Sequence, residues 1–164
     1  MKAILICLLL GLSVSYKGDL AVSYAKKHCS KYNPAYNNYR KIDMTAESVN
    51  FMSQCIHAGG QNFTGCEGLD DKGMFKNIQD LKKCLQAKGW TKTEIFAPGN
   101  PIFQRRYAYG MIATAVEDKA VKFCSHSPDR CHSQIMKKIV ETYAPPKWNC
   151  EYLLKNINNL NKSI

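Results

Sequence analysis

The chain has 164 residues, with 23 Lys and Arg against 13 Asp and Glu, a formal net charge of +10 and eight cysteines. A hydrophobic content of 45% and a charged content of 22% fit one folded domain and exclude collagen-like, coiled-coil and disordered classes. The basic residues are scattered, with Lys26-Lys27, Lys82-Lys83, Arg105-Arg106 and Lys137-Lys138 as isolated doublets and no Gly-aromatic motif of an RNA-binding module near them, which argues for a solvated surface and against nucleic-acid recognition.

The first fifteen residues read as a secretory signal peptide: Lys2, an apolar run from Ala3 to Leu12, and the small-residue pattern Ser13-Val14-Ser15. That run is shorter than the roughly 20 residues a membrane span requires, and no later stretch reaches that length. Residues 16–164 are then one secreted, extracellular domain with a helical extension after about 145. Cleavage after Ser15 removes Cys7 and leaves Cys29, Cys55, Cys66, Cys84, Cys124, Cys131 and Cys150 in an oxidising compartment, where three bridges and one free thiol are expected and the connectivity stays open. With no Cys-x-x-Cys pair the sequence implies no metal and no cofactor. Asn62-Phe63-Thr64 and Asn161-Lys162-Ser163 are N-glycosylation sequons, so Asn62 and Asn161 are acceptor candidates.

Asp19 is placed to cap a first helix running to about His28, with Leu20, Tyr24 and Cys29 as its apolar stripe and Asn33-Pro34 as its end. Val49, Met52 and Ile56 predict a second helix over 45–58, stopped by Gly59-Gly60 and carrying Ser48 in its first turn. Phe75, Ile78, Leu81 and Leu85 predict a third between Met74 and Lys88. Past the turn cluster Pro98-Gly99-Asn100-Pro101, the residues 102–103, 107–116 and 120–124 predict strands. A two-residue turn at Glu117-Asp118 would set Val116 against Lys119 and Tyr109 against His126, a register that a bulge would shift. A helix over 133–143, a break at Pro145-Pro146 and a polar C-terminal helix complete an α+β pattern of N-terminal helices packed on an antiparallel sheet.

The segments Ala21-Val22-Ser23-Tyr24-Ala25, Asn33-Pro34-Ala35-Tyr36-Asn37-Asn38-Tyr39, Asn50-Phe51-Met52-Ser53-Gln54-Cys55 and His126-Ser127-Pro128-Asp129-Arg130 resemble the putative amidase domain of bacterial secreted proteins. The resemblance implies a papain-like fold related to the NlpC-type cell-wall peptidases. In that family the second helix opens Asp-Cys-Thr-Asn-Phe, with the cysteine as nucleophile, because a helix N-terminus favours the thiolate. Here the stretch is Glu47-Ser48-Val49-Asn50-Phe51, so Ser48 stands at the nucleophile's position. The family's basic histidine is matched by Tyr109, and His126 falls at the third, orienting position.

A hydroxyl needs a base to become a nucleophile, and a tyrosine with a reference pKa near 10 is no base at neutral pH. The resemblance therefore implies a catalytically degenerate protein that keeps a cleft for a peptide, a cell-wall fragment or a partner protein. The alternative, an active amide hydrolase, pairs Ser48 with His126 and requires the imidazole within about 2.6 to 3.2 Å of Ser48 Oγ. A third reading, a structural or effector protein, expects a cleft collapsed around Tyr109. Asn50 and Gln54, four apart on the second helix, are expected to pair along it or to reach a neighbouring loop. Cys55 falls in the family's Ser-Gln-Cys segment, where a helix-buried cysteine is implied to be the free thiol; Cys29, Cys66, Cys84, Cys124, Cys131 and Cys150 are left for bridges.

Overall fold

A helix buried along nearly all of its length organises the molecule. The computed structural model describes residues 16–146 except 105 and 107; the signal segment, Cys150, Asn161 and the expected C-terminal helix lie outside the described residues. Three helices come first, α1 (Gly18–His28), α2 (Met44–Ala58) and α3 (Ile78–Ala87). Six strands follow: β1 (Thr91–Thr93), β2 (Pro101–Gln104), β3 (Gly110–Val116), β4 (Ala120–Ser125), β5 (Arg130–Met136) and β6 (Val140–Ala144), paired antiparallel in the order β1-β6-β2-β3-β4-β5. The α+β class is as the sequence pattern implies. Every residue of α2 from Ala46 to Ile56 is buried. Its start is fixed by Asp43, whose carboxylate accepts from the backbone N–H of Thr45 at 2.8 Å and of Ala46 at 3.2 Å.

The main core lies between helices and sheet, with Phe51, Met52 and Ile56 of α2 meeting Leu81 and Leu85 of α3 and Phe103, Ile112 and Cys124 of the sheet. Alternate strand residues, Ile102, Met111, Ala113, Val121, Phe123 and Val140, form a second cluster. Gly18 and Gly99 let two backbones cross: a Cβ on Gly99 would lie 2.3 Å from Gly18 Cα, and Gly99 has a φ of +86°.

Several expectations are corrected. Asp19 lies in the first turn of α1 and does not cap it; Lys17 holds that position without a side-chain bond. The buried stripe of α1 is Ala21 and Ala25, while Leu20 is 46% exposed, because close approach to α2 selects small residues. Phe75 is buried ahead of α3, in a bridge to Leu69. The helix expected over 133–143 is absent: β5, a short 3-10 turn at Lys137–Ile139 and β6 occupy that stretch. Ile135 and Tyr143 find strand partners in Val121 and Lys92, so pairing between distant segments overrides local periodicity. The β3–β4 turn is also wider than two residues, since Val116 opposes Val121 and a shift between Ala113 and Ala115 sets Ile112 against Cys124. Tyr109 precedes β3 and opposes nothing in the ladder.

Disulfides join Cys29 to Cys131, tying the end of α1 to β5, and Cys66 to Cys84, tying a loop to α3, with Cα–Cα distances of 5.4 and 5.5 Å. Closing a loop of the first span is worth about 4 to 5 kcal/mol in the chain-entropy view. Cys55 is a buried free thiol, and so is Cys124, contrary to the expectation that it would bridge: it points into the same core as Cys55.

A polarised chain of hydrogen bonds crosses the buried layer. Asn33 donates to the Tyr24 hydroxyl (2.9 Å), Tyr24 to Gln54 (2.7 Å), Gln54 to Asn50 (2.7 Å) and Asn50 to Asp70 (3.0 Å). Asn50 and Gln54 thus pair along α2 and reach a loop, as their spacing suggests. Asp70 also accepts from Asn37, Tyr39 and the backbone N–H of Lys72 and Met74. Burial alone would raise its pKa, but the bonds from Met74, Asn37, Tyr39 and Lys72 outweigh it and hold the carboxyl below its ordinary value.

A carboxyl depressed in the folded state contributes stability that is present above the unfolded pKa and is lost as pH falls through the folded one. The protein is therefore expected to lose stability as pH drops below about 4. In urea unfolding across pH 2–7, Asp70→Asn should be weaker than the parent at pH 7 and should show a flatter acid limb.

Candidate functional site

Glu47 and Ser48 occupy the first turns of α2 and are fully buried. Ser48 Oγ donates to the Thr45 carbonyl at 2.9 Å and accepts from the Gly110 backbone N–H at 3.3 Å, so it stitches the start of α2 to the start of β3. Gly110 permits that approach: a Cβ there would lie 2.5 Å from the Met52 methyl.

His126 is 2% exposed, stacked on Phe51 with ring centroids 3.9 Å apart and packed on Tyr32 at 4.7 Å. Its Nδ1 lies 2.7 Å from Glu47 Oε1 and its Nε2 2.6 Å from the His28 carbonyl. The other Glu47 oxygen accepts from the Tyr39 backbone N–H at 2.8 Å. With an acceptor at each ring nitrogen, each nitrogen carries a hydrogen or shares one with the Glu47 carboxyl. Neither arrangement leaves a lone pair to take a proton from Ser48.

Tyr109 sits against the turn over residues 125–128 that carries His126. Its hydroxyl lies 2.8 Å from Ser125 Oγ, 3.0 Å from the His126 carbonyl and 3.3 Å from that of Pro128. Burial pushes the Tyr109 phenol further up, and the bond to Ser125 offsets this only in part. The structure therefore brings Tyr109 to the backbone of His126 and not to its imidazole, and brings Ser48 to Gly110 and not to either. Arg40 and Asp129 form an ion pair above this turn, with the guanidinium 5.5 Å from the Tyr32 ring centroid.

Beside the three residues lies a cleft of about 380 Å³, at the lower end of the range for small-ligand pockets. Met44, Met111, Phe123 and Ile135 give it an apolar wall, and Tyr109, Ser127 and Arg130 a polar one. Ser48 and His126 do not line it. Of the remaining candidates, Asn62 is exposed, its Oδ1 accepting from the Thr64 backbone N–H at 2.7 Å and hydroxyl at 2.6 Å.

The family model for the putative amidase domain matches residues 15–98, about half of the chain. The chain belongs to the putative amidase domain family. The match spans the three helices and β1 and includes Glu47 and Ser48; Tyr109 and His126 lie beyond it. The chain is also 47% identical over 45 residues to "Uncharacterized protein YhbB" of Bacillus subtilis (strain 168), a stretch that covers 27% of this chain and 13% of that protein. No solved structure matches.

Sequence reasoning missed Glu47. The signal was there, an acidic residue one place before Ser48 at the family motif's Asp, but its partner stands 79 residues away and only the fold joins them. Ser127 and Arg130 fall in the resembling segment that begins at His126, which by itself gives them no role. The His28 carbonyl carries no residue-specific signal.

Removing one partner of a buried hydrogen-bonded pair leaves the other unsatisfied, which costs about 1 to 3 kcal/mol for each stranded group. Glu47→Ala should destabilise the protein accordingly in equilibrium urea unfolding, because it strands the His126 ring and the Tyr39 N–H at once. A change below about 1 kcal/mol would refute the structural role assigned to the pair.

Proposed function

We propose that this chain is a secreted amidase-like protein that has lost catalysis and binds a peptide, a cell-wall fragment or a partner protein in the cleft beside the former active site. The observation that carries the reading is the state of the two groups catalysis would need. Ser48 Oγ is buried and held between Thr45 and Gly110, and the His126 ring is occupied at both nitrogens by Glu47 and His28. Nucleophilic catalysis needs a hydroxyl within reach of a base that can take its proton. Tyr109, at the family's base position, has a phenol raised above its ordinary value and hydrogen-bonded into the 125–128 turn.

The open cleft favours binding over a purely structural role, since a protein that had abandoned the site would be expected to fill it. Secretion is supported by the two disulfides, which persist in oxidising compartments, and by the signal-like N-terminus. Among the described residues no helix is long and apolar enough to cross a membrane. A helix packed by its N-terminal turns against an antiparallel sheet supports the papain-like reading of the fold. The exposed Asn62 is consistent with glycosylation in a host that performs it.

Turnover decides the matter. The oxidised protein, incubated with peptidoglycan fragments and a panel of acylated peptides, is expected to release no product above buffer, and Ser48→Ala is expected to behave identically. Cleavage by the parent that disappears in Ser48→Ala would overturn the reading and establish a serine amidase.

A further inference from the structure

The lining of the cleft carries one charged side chain, Arg130. Ser127 is only 5% exposed and lines the cleft, yet its Oγ has no hydrogen-bond partner among the described residues. That oxygen is itself shielded from solvent, so Ser127 shapes the cleft wall without offering a bond to what the cleft holds. Three residues on, Arg130 lines the same cleft, is exposed, and has no carboxylate partner among the described residues. Its neighbour Asp129 is paired with Arg40. Met44, Met111, Phe123 and Ile135 supply the apolar part of the lining.

The charge balance limits what this wall accepts. The start of α2 forms one edge through Met44 and Thr45, but its first free N–H groups already bond the Asp43 carboxylate. That leaves a single guanidinium, beside an anion, to meet an incoming group. A dianionic phosphate is poorly matched; a planar monoanion that a guanidinium can hold by two parallel bonds is well matched. The apolar wall calls for a side chain next to that anion.

We propose that the cleft recognises a carboxylate borne on the carbon that carries an apolar side chain, as at the C-terminus of a peptide, with Arg130 on the carboxylate and the side chain against Met111 and Phe123. This rests on the cleft-binding reading above and names the ligand chemistry for it. The same chemistry is present in a free acylated amino acid, and a peptide differs from it only by its upstream residues.

The test uses acetyl-Ala-Ala-Phe and acetyl-Ala-Ala-Leu, each as free acid and as C-terminal amide, together with acetyl-phenylalanine, titrated calorimetrically into the oxidised full chain. The free acids should bind at least ten-fold more tightly than the amides, and Arg130→Gln should erase that difference without changing the melting temperature. Tighter binding of the tripeptide acid than of acetyl-phenylalanine assigns the site to a peptide end; equal binding assigns it to the small acid. Acid and amide of equal affinity, a preference that survives Arg130→Gln, or no binding of either form would overturn the inference. Equal affinity would still leave the cleft-binding reading in place. Ser48-dependent hydrolysis of the tripeptides would instead sink the degenerate reading and leave carboxylate recognition standing.

Discussion

The buried contact between Glu47 and His126 is the constraint on which the rest of this site depends. Two ionisable side chains with almost no solvent access are tolerable only when every polar atom is satisfied, because an unpaired charge in that setting is far more destabilising than the pair. The structure meets this condition with four elements. α2 supplies Glu47, the loop before it supplies the Tyr39 N–H, α1 supplies the His28 carbonyl, and the β4–β5 turn supplies the imidazole. The pair therefore fixes where the start of α2 sits relative to the sheet, and through Ser48 and Gly110 it fixes β3 as well.

On the proposed reading, that arrangement lets an amidase-like domain hold these polar residues in packing roles. A catalytic histidine must hold one nitrogen free for the nucleophile, whereas His126 has surrendered both to acceptors. A nucleophilic hydroxyl must face the cleft, whereas Ser48 faces a backbone amide. Each group is part of the packing. The same logic runs through the chain from Asn33 to Asp70, where every donor points toward one carboxylate and neighbouring bonds polarise one another. The Cys29–Cys131 bridge holds α1 against β5 close to both systems.

Much of the helical half was legible in the residues alone. The periodicity of Val49, Met52 and Ile56 located α2 to within a residue, since a helix with long apolar spacing and a Gly-Gly stop has few alternatives. Alternation and β-branching found β2, β3 and β4. The stretch from Ser133 to Tyr143 misled because Ile135, Ile139 and Val140 mimic helical spacing, and only pairing with β4, β1 and β2 shows them to be strand and turn. The site was half legible. Ser48, Tyr109 and His126 do gather around the start of α2, but which atom faces which depends on backbone groups, such as the His28 carbonyl and the Gly110 amide, that no residue type announces. The pairing of Cys29 with Cys131 was hidden for the same reason: 102 residues separate them.

The central claim is that the Ser48 hydroxyl is a structural group and not an activated one. A fluorophosphonate, which phosphonylates a serine only when a neighbouring base activates it, tests this directly by intact-mass and peptide mapping of the native protein. The expected result is no adduct at Ser48 under conditions that label a serine hydrolase completely. An adduct mapped to Ser48, absent from Ser48→Ala, would show that the hydroxyl is reachable and activated, and would contradict its structural role.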